Sequence, residues 1–238
     1  MFNKVIVAVV GSSEAGKTTA IEVIIKGLTE KGYTVASAKR IPEPEFTIDT
    51  EGKDTWRHAK AGASAVLSVA PKELAFIKKT NTKNYSLTQL IAEIPDETDI
   101  IIIEGFKNLV GQDMNIPKIV ATKTAGETLA ALKRYKNILA FIGHKLDEKA
   151  VAEIPFVDIR KESEKLVELI NKKVAVLVER KRKREEKITI KVDEKLLPLG
   201  DFVQDIIRNT ILAMISSLKG VEIRGEEKVS IVVKRLRG

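Results

Sequence analysis

The sequence contains no cysteine among its 238 residues. Disulfides, thiolate zinc sites, cysteine-ligated iron–sulfur clusters and cysteine nucleophiles are therefore all excluded. Histidine is almost as scarce, since only His58 and His144 are present. A polyhistidine metal centre is not expected, and any bound metal should be a hard cation that is held by oxygen ligands.

Long apolar runs are also missing. No stretch approaches the roughly 18 uninterrupted apolar residues of a transmembrane helix. The first residues, MFNKVIVAVVGSS, lack the basic and then apolar pattern of a signal peptide. We therefore expect a cytoplasmic protein without a membrane partner.

Aromatic residues make up only 5% of the chain, and the net charge of the chain is +8. Much of the positive excess lies in the basic run 180–184 and in the last residues, VKRLRG. Basic runs without interleaved aromatics are more typical of solvated helix ends than of nucleic-acid sites. Nucleic acid is therefore not the expected partner.

Apolar, β-branched segments alternate with amphipathic ones over the first 170 residues. This alternation predicts an α/β fold with a doubly wound, mostly parallel sheet, because several strands are apolar on both faces. Gly32 should end the first helix, and Ser86 should cap a later one. Strands are predicted near residues 4–10, 34–39, 64–69, 99–104, 117–122, 137–142 and 155–158, and helices near 17–30, 53–61, 86–93, 127–134 and 162–179.

The sequence pattern changes after the basic run. Residues 187–199 alternate like a strand or hairpin, 201–219 have the pattern of an amphipathic helix, and 228–236 have that of a strand. We predict a first domain over 1–178, a basic linker over 179–186 and a small α+β module over 187–238. A module of roughly 50 residues is marginal by itself, so we expect it to pack on the first domain or on another subunit.

The segment 11–18, GSSEAGKT, matches the phosphate-loop pattern and lies between a predicted strand and a predicted helix. In such loops the backbone amides and the helix N-terminus bind phosphate groups. Lys17 would offset the β- and γ-phosphate charge, the Thr18 hydroxyl would ligate Mg²⁺, and Thr19 would lie near the α-phosphate. The other predicted nucleotide-binding residues of the loop are Gly11, Ser12, Ser13, Glu14, Ala15 and Gly16.

An apolar strand that ends in an acid supplies the second half of the predicted site. In DIIIIEG, residues 99–105, Glu104 can hold Mg²⁺ directly or through water, and Gly105 lets the backbone approach the terminal phosphate. We favour Glu104 over Asp99, because Asp99 lies at the start of the strand. Lys17 and Glu104 are the predicted catalytic residues of this P-loop NTPase fold.

The segment 39–63, KRIPEPEFTIDTEGKDTWRHAKAGA, is too polar and too rich in turn residues to be core. Beside the phosphates, Asp49 or Asp54 could complete the Mg²⁺ shell, and Lys53 or Arg57 could bind an anionic substrate. The alternative is a solvated loop in which Asp54 caps a helix and a salt bridge lies on the helix face.

Base specificity is left open by the sequence. Thr122-Lys123 follows a strand, as in guanine-reading Asn/Thr-Lys-x-Asp loops, but Ala125 stands at the position of the aspartate. Asp158, after a later strand, or a backbone group could substitute for it. His144 and Asp147 are predicted loop residues, and a triad hydrolase is not supported because no serine or threonine is paired with them.

Four segments together resemble the MobB-type molybdopterin-guanine dinucleotide biosynthesis family: GSSEAGKTT, Lys39-Arg40, GKDTWRHAKAGA and DIIIIEGFKN. The resemblance covers residues 1–172. It implies a P-loop GTPase-related fold, binding of GTP and Mg²⁺, weak GTP hydrolysis and frequent dimerisation. It also implies assistance to the guanylyltransferase that attaches GMP to molybdopterin, so that molybdopterin or its metal-bound form is a further possible partner.

Carried over residue by residue, the resemblance makes Glu104 and Gly105 a Walker-B-like pair, and 49–62 a switch-like anion site that contains Asp54 and Arg57. The resemblance also places Lys107 on the same surface. From the residues themselves, we predict Asp49 as a third metal ligand beside Thr18 and Glu104. This chain has Lys39-Arg40 where relatives often have Lys-His, and the shortest relatives lack the C-terminal module. The metal finally served could be molybdenum or tungsten.

Two other functions stay open from the residues. An ATP-dependent small-molecule kinase or ligase would use Lys53, Arg57 or Lys107 to hold an anionic acceptor. A nucleic-acid binder would use the basic run and the C-terminal module, with the P-loop domain as its switch.

Overall fold

A computed structural model describes residues 4–143, 153–185, 190–192 and 195–219. By its contacts the chain divides into two units, Met1–Val178 and Glu179–Gly238. The strands are β1 (Val5–Gly11), β2 (Val35–Lys39), β3 (Ala65–Ala70), β4 (Glu73–Lys78), β5 (Ile100–Glu104), β6 (Lys118–Thr122), β7 (Ile138–Gly143), β8 (Phe156–Val157), β9 (Ile190–Val192) and β10 (Lys195–Leu197). The helices are α1 (Lys17–Glu30), α2 (Asp54–Lys60), α3 (Leu87–Ile91), α4 (Lys107–Val110), α5 (Ala125–Arg134), α6 (Ser163–Glu185) and α7 (Asp201–Ser216).

Six strands of the first unit form one parallel sheet in the order β2-β5-β1-β6-β7-β8. Parallel strands bring their carboxyl ends to one edge, and ligands of open α/β sheets bind there. The register aligns Glu104 at the end of β5 with Lys39 of β2 on one side and Val9 of β1 on the other. The predicted α/β fold with a mostly parallel sheet is therefore confirmed.

Both faces of the sheet are covered by helices. Along β1, Val5, Val7 and Val9 face the core formed with α1 and α6, whereas Ile6, Ala8 and Val10 face the core formed with α3, α4 and α5. A strand that is apolar on both faces is the pattern expected for a sheet buried between two helix layers. The central strands are buried on both faces, and the loops at their carboxyl ends begin from this core.

The predicted strand near 64–69 exists, but it does not join the parallel sheet. β3 pairs antiparallel with β4 in a separate two-stranded sheet, and Leu67 opposes Phe76 while Val69 opposes Leu74. The sequence analysis did not predict β4. The connection between β3 and β4 is only two residues long, which favours an antiparallel hairpin over a crossover to a parallel strand.

The second unit contains the β9–β10 hairpin and α7, as the pattern of 187–199 and 201–219 predicts. Helix α6, predicted to end near 179, continues through the basic run to Glu185. Lysine and arginine are good helix formers, so their charge does not stop the helix. The strand predicted at 228–236 lies outside the described residues. No helix in the described ranges is long and apolar enough to cross a membrane.

Candidate nucleotide-binding site

The phosphate loop lies between the end of β1 and the start of α1, as predicted. Gly16 precedes the first helical residue in the left-handed conformation, with φ of 86°. Gly11 has φ of +140°, and a Cβ at this position would lie 2.0 Å from the carbonyl oxygen of Ala121 in the neighbouring strand. A side chain at Gly11 is therefore incompatible with the pairing of β1 and β6.

Lys17, the first residue of α1, directs its ammonium back into the loop, where it donates a hydrogen bond to the carbonyl oxygen of Ser12. Burial lowers the pKa of Lys17, and Glu104 opposes this effect. The positive charges of Lys107, Lys39 and Lys123 lower the pKa further. Several lysines therefore lie near the loop lysine, and Glu104 is the carboxylate that stabilises its charge.

Glu104 and Gly105 occupy the carboxyl end of β5, beside the phosphate loop. The Glu104 side chain is only 14% exposed and forms an ion pair with the Lys39 ammonium at 3.6 Å. The Gly105 amide donates to the carbonyl oxygen of Val9 at 3.3 Å, which ties the strand end to β1. Asp99 instead accepts from the backbone amide of Thr34 at the opposite end of the strand, as expected for a structural acid.

The hydroxyl-bearing residues Thr18 and Thr19 follow Lys17 in the first turn of α1, and both are exposed. Within the described residues, no group of three or more His, Asp or Glu side chains is arranged to hold a metal ion. Mg²⁺ sites of nucleotide-binding proteins typically use one or two protein oxygens and complete their shell with phosphate and water. Thr18 with Glu104 fits that donor set.

Asp49 lies in the loop before α2, where its hydrogen bonds are local. One carboxylate oxygen accepts from the Thr55 hydroxyl at 2.9 Å and from the Thr50 amide at 2.9 Å. The other oxygen is buried and has no hydrogen-bond partner among the described residues. The first contacts fix the entry to the helix, and the metal role of Asp49 stays a prediction.

Helix α2 carries the other residues of the predicted anion site. Asp54 and Arg57 form an ion pair at 3.7 Å on the exposed helix face, and Lys60 lies 5.3 Å from the centroid of the Trp56 ring. The salt bridge of the alternative interpretation is therefore present. The cap that it predicted is not, because Lys53 is the N-cap without a side-chain hydrogen bond and Asp54 is the first residue of the helix. The same helix lines an open groove of about 590 Å³, formed by Asp54, Trp56, Arg57, His58, Lys60 and Ala61.

Sequence reasoning missed Glu127, which joins the phosphate loop to the loop after β6. Its carboxylate accepts from the Ser12 hydroxyl at 2.8 Å and from the Lys123 amide at 2.7 Å. The Lys123 amide and the Ser12 hydroxyl lower the pKa of Glu127, in that order. A second link, the ion pair of Lys123 with Glu14 at 3.7 Å, joins the same two loops. The available signal was an acid in the first turn of a helix that Thr124 caps.

The loop after β8 also borders the phosphate loop. A Cβ at Gly16 would lie 3.8 Å from the Ile159 side chain, so Ile159 sits directly beside this glycine. The preceding Asp158 accepts from the Arg160 amide at 3.0 Å. The loops after β6 and β8 therefore both border the phosphate loop. His144 and Asp147 lie outside the described residues.

Comparison with known proteins identifies the family. The model of the family "MobB: Molybdopterin guanine dinucleotide synthesis protein B" matches residues 6–144, which begin within β1 and end just after β7. The chain belongs to the MobB family. The match contains the phosphate loop, Glu104 and α2, so every predicted site residue from Gly11 to Gly105 falls within the family's shared region.

Individual MobB relatives extend this result. A Methanocaldococcus jannaschii protein, named provisionally as a molybdopterin-guanine dinucleotide biosynthesis adapter protein, is 30% identical over 98% of this chain and 99% of its own. The Haemophilus influenzae protein of the same name is 33% identical over 48% of this chain and 61% of its own. A crystal structure of molybdopterin-guanine biosynthesis protein B has a TM-score of 0.56 and 26% identity, covering 72% of this chain and 99% of that one. The C-terminal region thus has a counterpart in the first relative.

Proposed function

We propose that this chain binds GTP with Mg²⁺ and assists the attachment of GMP to molybdopterin as an accessory protein of molybdenum or tungsten cofactor biosynthesis. One observation supports the proposal above the others. A complete phosphate loop, with Lys17 beside the half-buried Glu104, lies at the sheet edge of a MobB-family chain. The names of the relatives support the pathway, and the phosphate loop with Lys17 supports the binding of a nucleotide.

Different residues would bind different parts of the nucleotide and its Mg²⁺. The amides of the phosphate loop and the N-terminus of α1 would bind the phosphates, and Lys17 would offset their charge. Thr18 and Glu104 would hold Mg²⁺, with Asp49 as a third oxygen ligand if its loop reaches the site. Bound Mg²⁺ would neutralise charge on the phosphate oxygens.

GTP hydrolysis by this site should be slow. Fast hydrolysis requires a residue that positions water and a cation that stabilises the transition state at the γ-phosphate. The sequence places no arginine finger by motif and no clear general base beside the phosphate loop. Glu104, which is paired with Lys39, is assigned to Mg²⁺ in this proposal. The nucleotide would then be held rather than consumed, as an accessory role in the cytoplasm requires.

A homodimer and contact with the guanylyltransferase belong to the same proposal. One face of the β3–β4 hairpin exposes Leu67, Val69, Leu74 and Phe76, and Val69 is 72% exposed. Cross-strand apolar pairs of this kind on a free face are unfavourable in water and favour association. We assign this face to the second copy, residues 1–178 to the nucleotide-binding domain and residues 187–238 to docking.

A nucleotide panel tests the proposal. Calorimetry with GTP, GDP and ATP, with and without Mg²⁺, should show Mg²⁺-dependent preference for GTP in the wild-type chain. Lys17→Ala should lose the binding, whereas Lys26→Ala, on the exposed side of the same helix, should keep it. Tight ATP binding without GTP competition would favour the kinase or ligase instead and would contradict the proposal.

A further inference from the structure

Three cationic residues follow the ends of β2 and β5, the two strands on one side of β1. We name Lys39, Arg40 and Lys107 the outer basic cluster. Lys39 ends β2, Arg40 follows it directly, and Lys107 begins α4 two residues after Gly105. All three therefore follow the carboxyl ends of β2 and β5, at the edge of the sheet that carries the phosphate loop.

The backbone holds the cluster in place. Lys39 is the register partner of Glu104, and the Arg40 amide donates to the Glu104 carbonyl oxygen at 3.0 Å. The Arg40 Cβ lies 3.7 Å from the position that a Cβ on Gly105 would occupy. Backbone contacts therefore tie the ends of the two strands together, and the basic side chains begin from defined backbone positions.

The charges of the cluster exceed those of its acid. Lys39 pairs with Glu104 but keeps 60% of its side chain exposed. Among the described residues, the side chains of Arg40 and Lys107 form no hydrogen bond or ion pair. Lys107 and Lys39 also contribute to the lowered pKa of Lys17, after the larger effect of burial. An excess of positive charge around a single acid favours the binding of an anion.

Lys39 and Arg40 begin farther from the phosphate loop than Lys107 does. In the strand order β2-β5-β1, the end of β2 is two strands from the end of β1 that carries the phosphate loop. Two strand spacings amount to about 9.5 Å. Lys107 lies closer to the loop, because its charge acts on Lys17 and on Glu127. An anion held between Arg40 and Lys107 would therefore lie beside the phosphates at Lys17 and would not replace them.

We propose that the outer basic cluster is a second phosphate subsite, which binds the phosphate monoester of an acceptor while the nucleotide occupies the phosphate loop. This inference rests on the proposed function, because a dinucleotide joins its halves through phosphates and its acceptor must end in one. Arg40 supplies a planar fork of donors, and Lys107 supplies a mobile ammonium. The cluster would bring the acceptor phosphate next to the bound GTP.

Inorganic phosphate is the probe for this subsite. It is titrated by calorimetry, at constant ionic strength, into the full chain saturated with Mg²⁺ and a non-hydrolysable GTP analogue. We expect one further phosphate per chain, with affinity about tenfold lower in Arg40→Gln and in Lys107→Gln. Lys26→Gln, at an exposed lysine of α1, is the matched control. Lys39 stays unchanged, because its ion pair with Glu104 would also alter the acid.

Each other outcome overturns the subsite for a different reason. Analogue binding without a further phosphate would remove the subsite and leave the proposed nucleotide function intact. Weaker binding of the analogue but not of GDP in both variants would assign the cluster to the γ-phosphate. An equal loss of phosphate affinity in Lys26→Gln would show that the effect comes from the net charge of the chain alone. A wild-type chain that fails to bind the analogue would contradict the proposed function itself.

Discussion

Replacing Gly11 by alanine should damage the site by forcing apart the two strands that carry it. The new Cβ would lie 2.0 Å from the Ala121 carbonyl oxygen, where contacts below 3.0 Å essentially do not occur. The pairing of Gly11 with Ala121 is the last rung of the β1–β6 ladder before the phosphate loop. The strands would have to separate by roughly 1 Å at this rung, which weakens its hydrogen bonds.

The cost has two parts. A non-glycine residue at φ of +140° carries backbone strain of about 1–3 kcal/mol. Losing one or two ladder hydrogen bonds adds about 1 kcal/mol each. The sum, about 2–5 kcal/mol, is a large part of the 5–15 kcal/mol typical of a folded domain.

Gly32→Ala is the matched control, because Gly32 also has a positive φ, of +85°, but a Cβ there would meet no atom within 4 Å. Gly32→Ala should therefore lower the free energy of unfolding only by the conformational cost, about 1–2 kcal/mol. Urea unfolding followed by circular dichroism measures both variants. Equal losses in the two variants would refute the steric argument, since strain alone would then explain Gly11.

Three further predictions follow from particular contacts. Burial lowers the pKa of Lys118 to about 8, so the unfolded chain binds more protons than the folded chain between pH 8 and 10.5. In urea unfolding, the free energy of unfolding relative to Lys118→Met should therefore rise over this range by up to about 1.4 kcal/mol per pH unit. A difference that stays constant with pH would contradict this. Glu127→Ala, which frees Ser12, should weaken GTP binding about five- to tenfold by calorimetry, whereas unchanged affinity would make the link incidental. Phe76→Asp on the hairpin face should convert a dimer to a monomer in light scattering, and a persistent dimer would place the interface elsewhere.

The phosphate loop and its flanking elements could be predicted because their signals are local. The bounds of α1 coincide with the predicted 17–30, and Gly32 ends the helix with a positive φ as expected. Ser86 forms the predicted cap, in a capping box with Gln89. Such features depend on neighbouring residues, and the sequence displays those directly.

Pairing between distant segments could not be predicted in the same way. β4 was missed because its apolar run, residues 74–77, is only four residues long. β3 was mistaken for a strand of the main sheet. The Ser12–Glu127 hydrogen bond joins residues 115 positions apart. Helix α4, with four residues, is too short to show a period. Strand order, which sets Lys39 beside Glu104, also emerges only from the fold.

The most direct measurement of the account is GMP transfer to molybdopterin by a purified guanylyltransferase, with and without this chain. The account predicts that the wild-type chain raises transfer at limiting GTP, that Lys17→Ala does not, and that Lys26→Ala acts like wild type. Stimulation by Lys17→Ala equal to that of the wild-type chain, or no stimulation by a wild-type chain that binds GTP, would contradict the proposal that the phosphate loop holds GTP for the transfer.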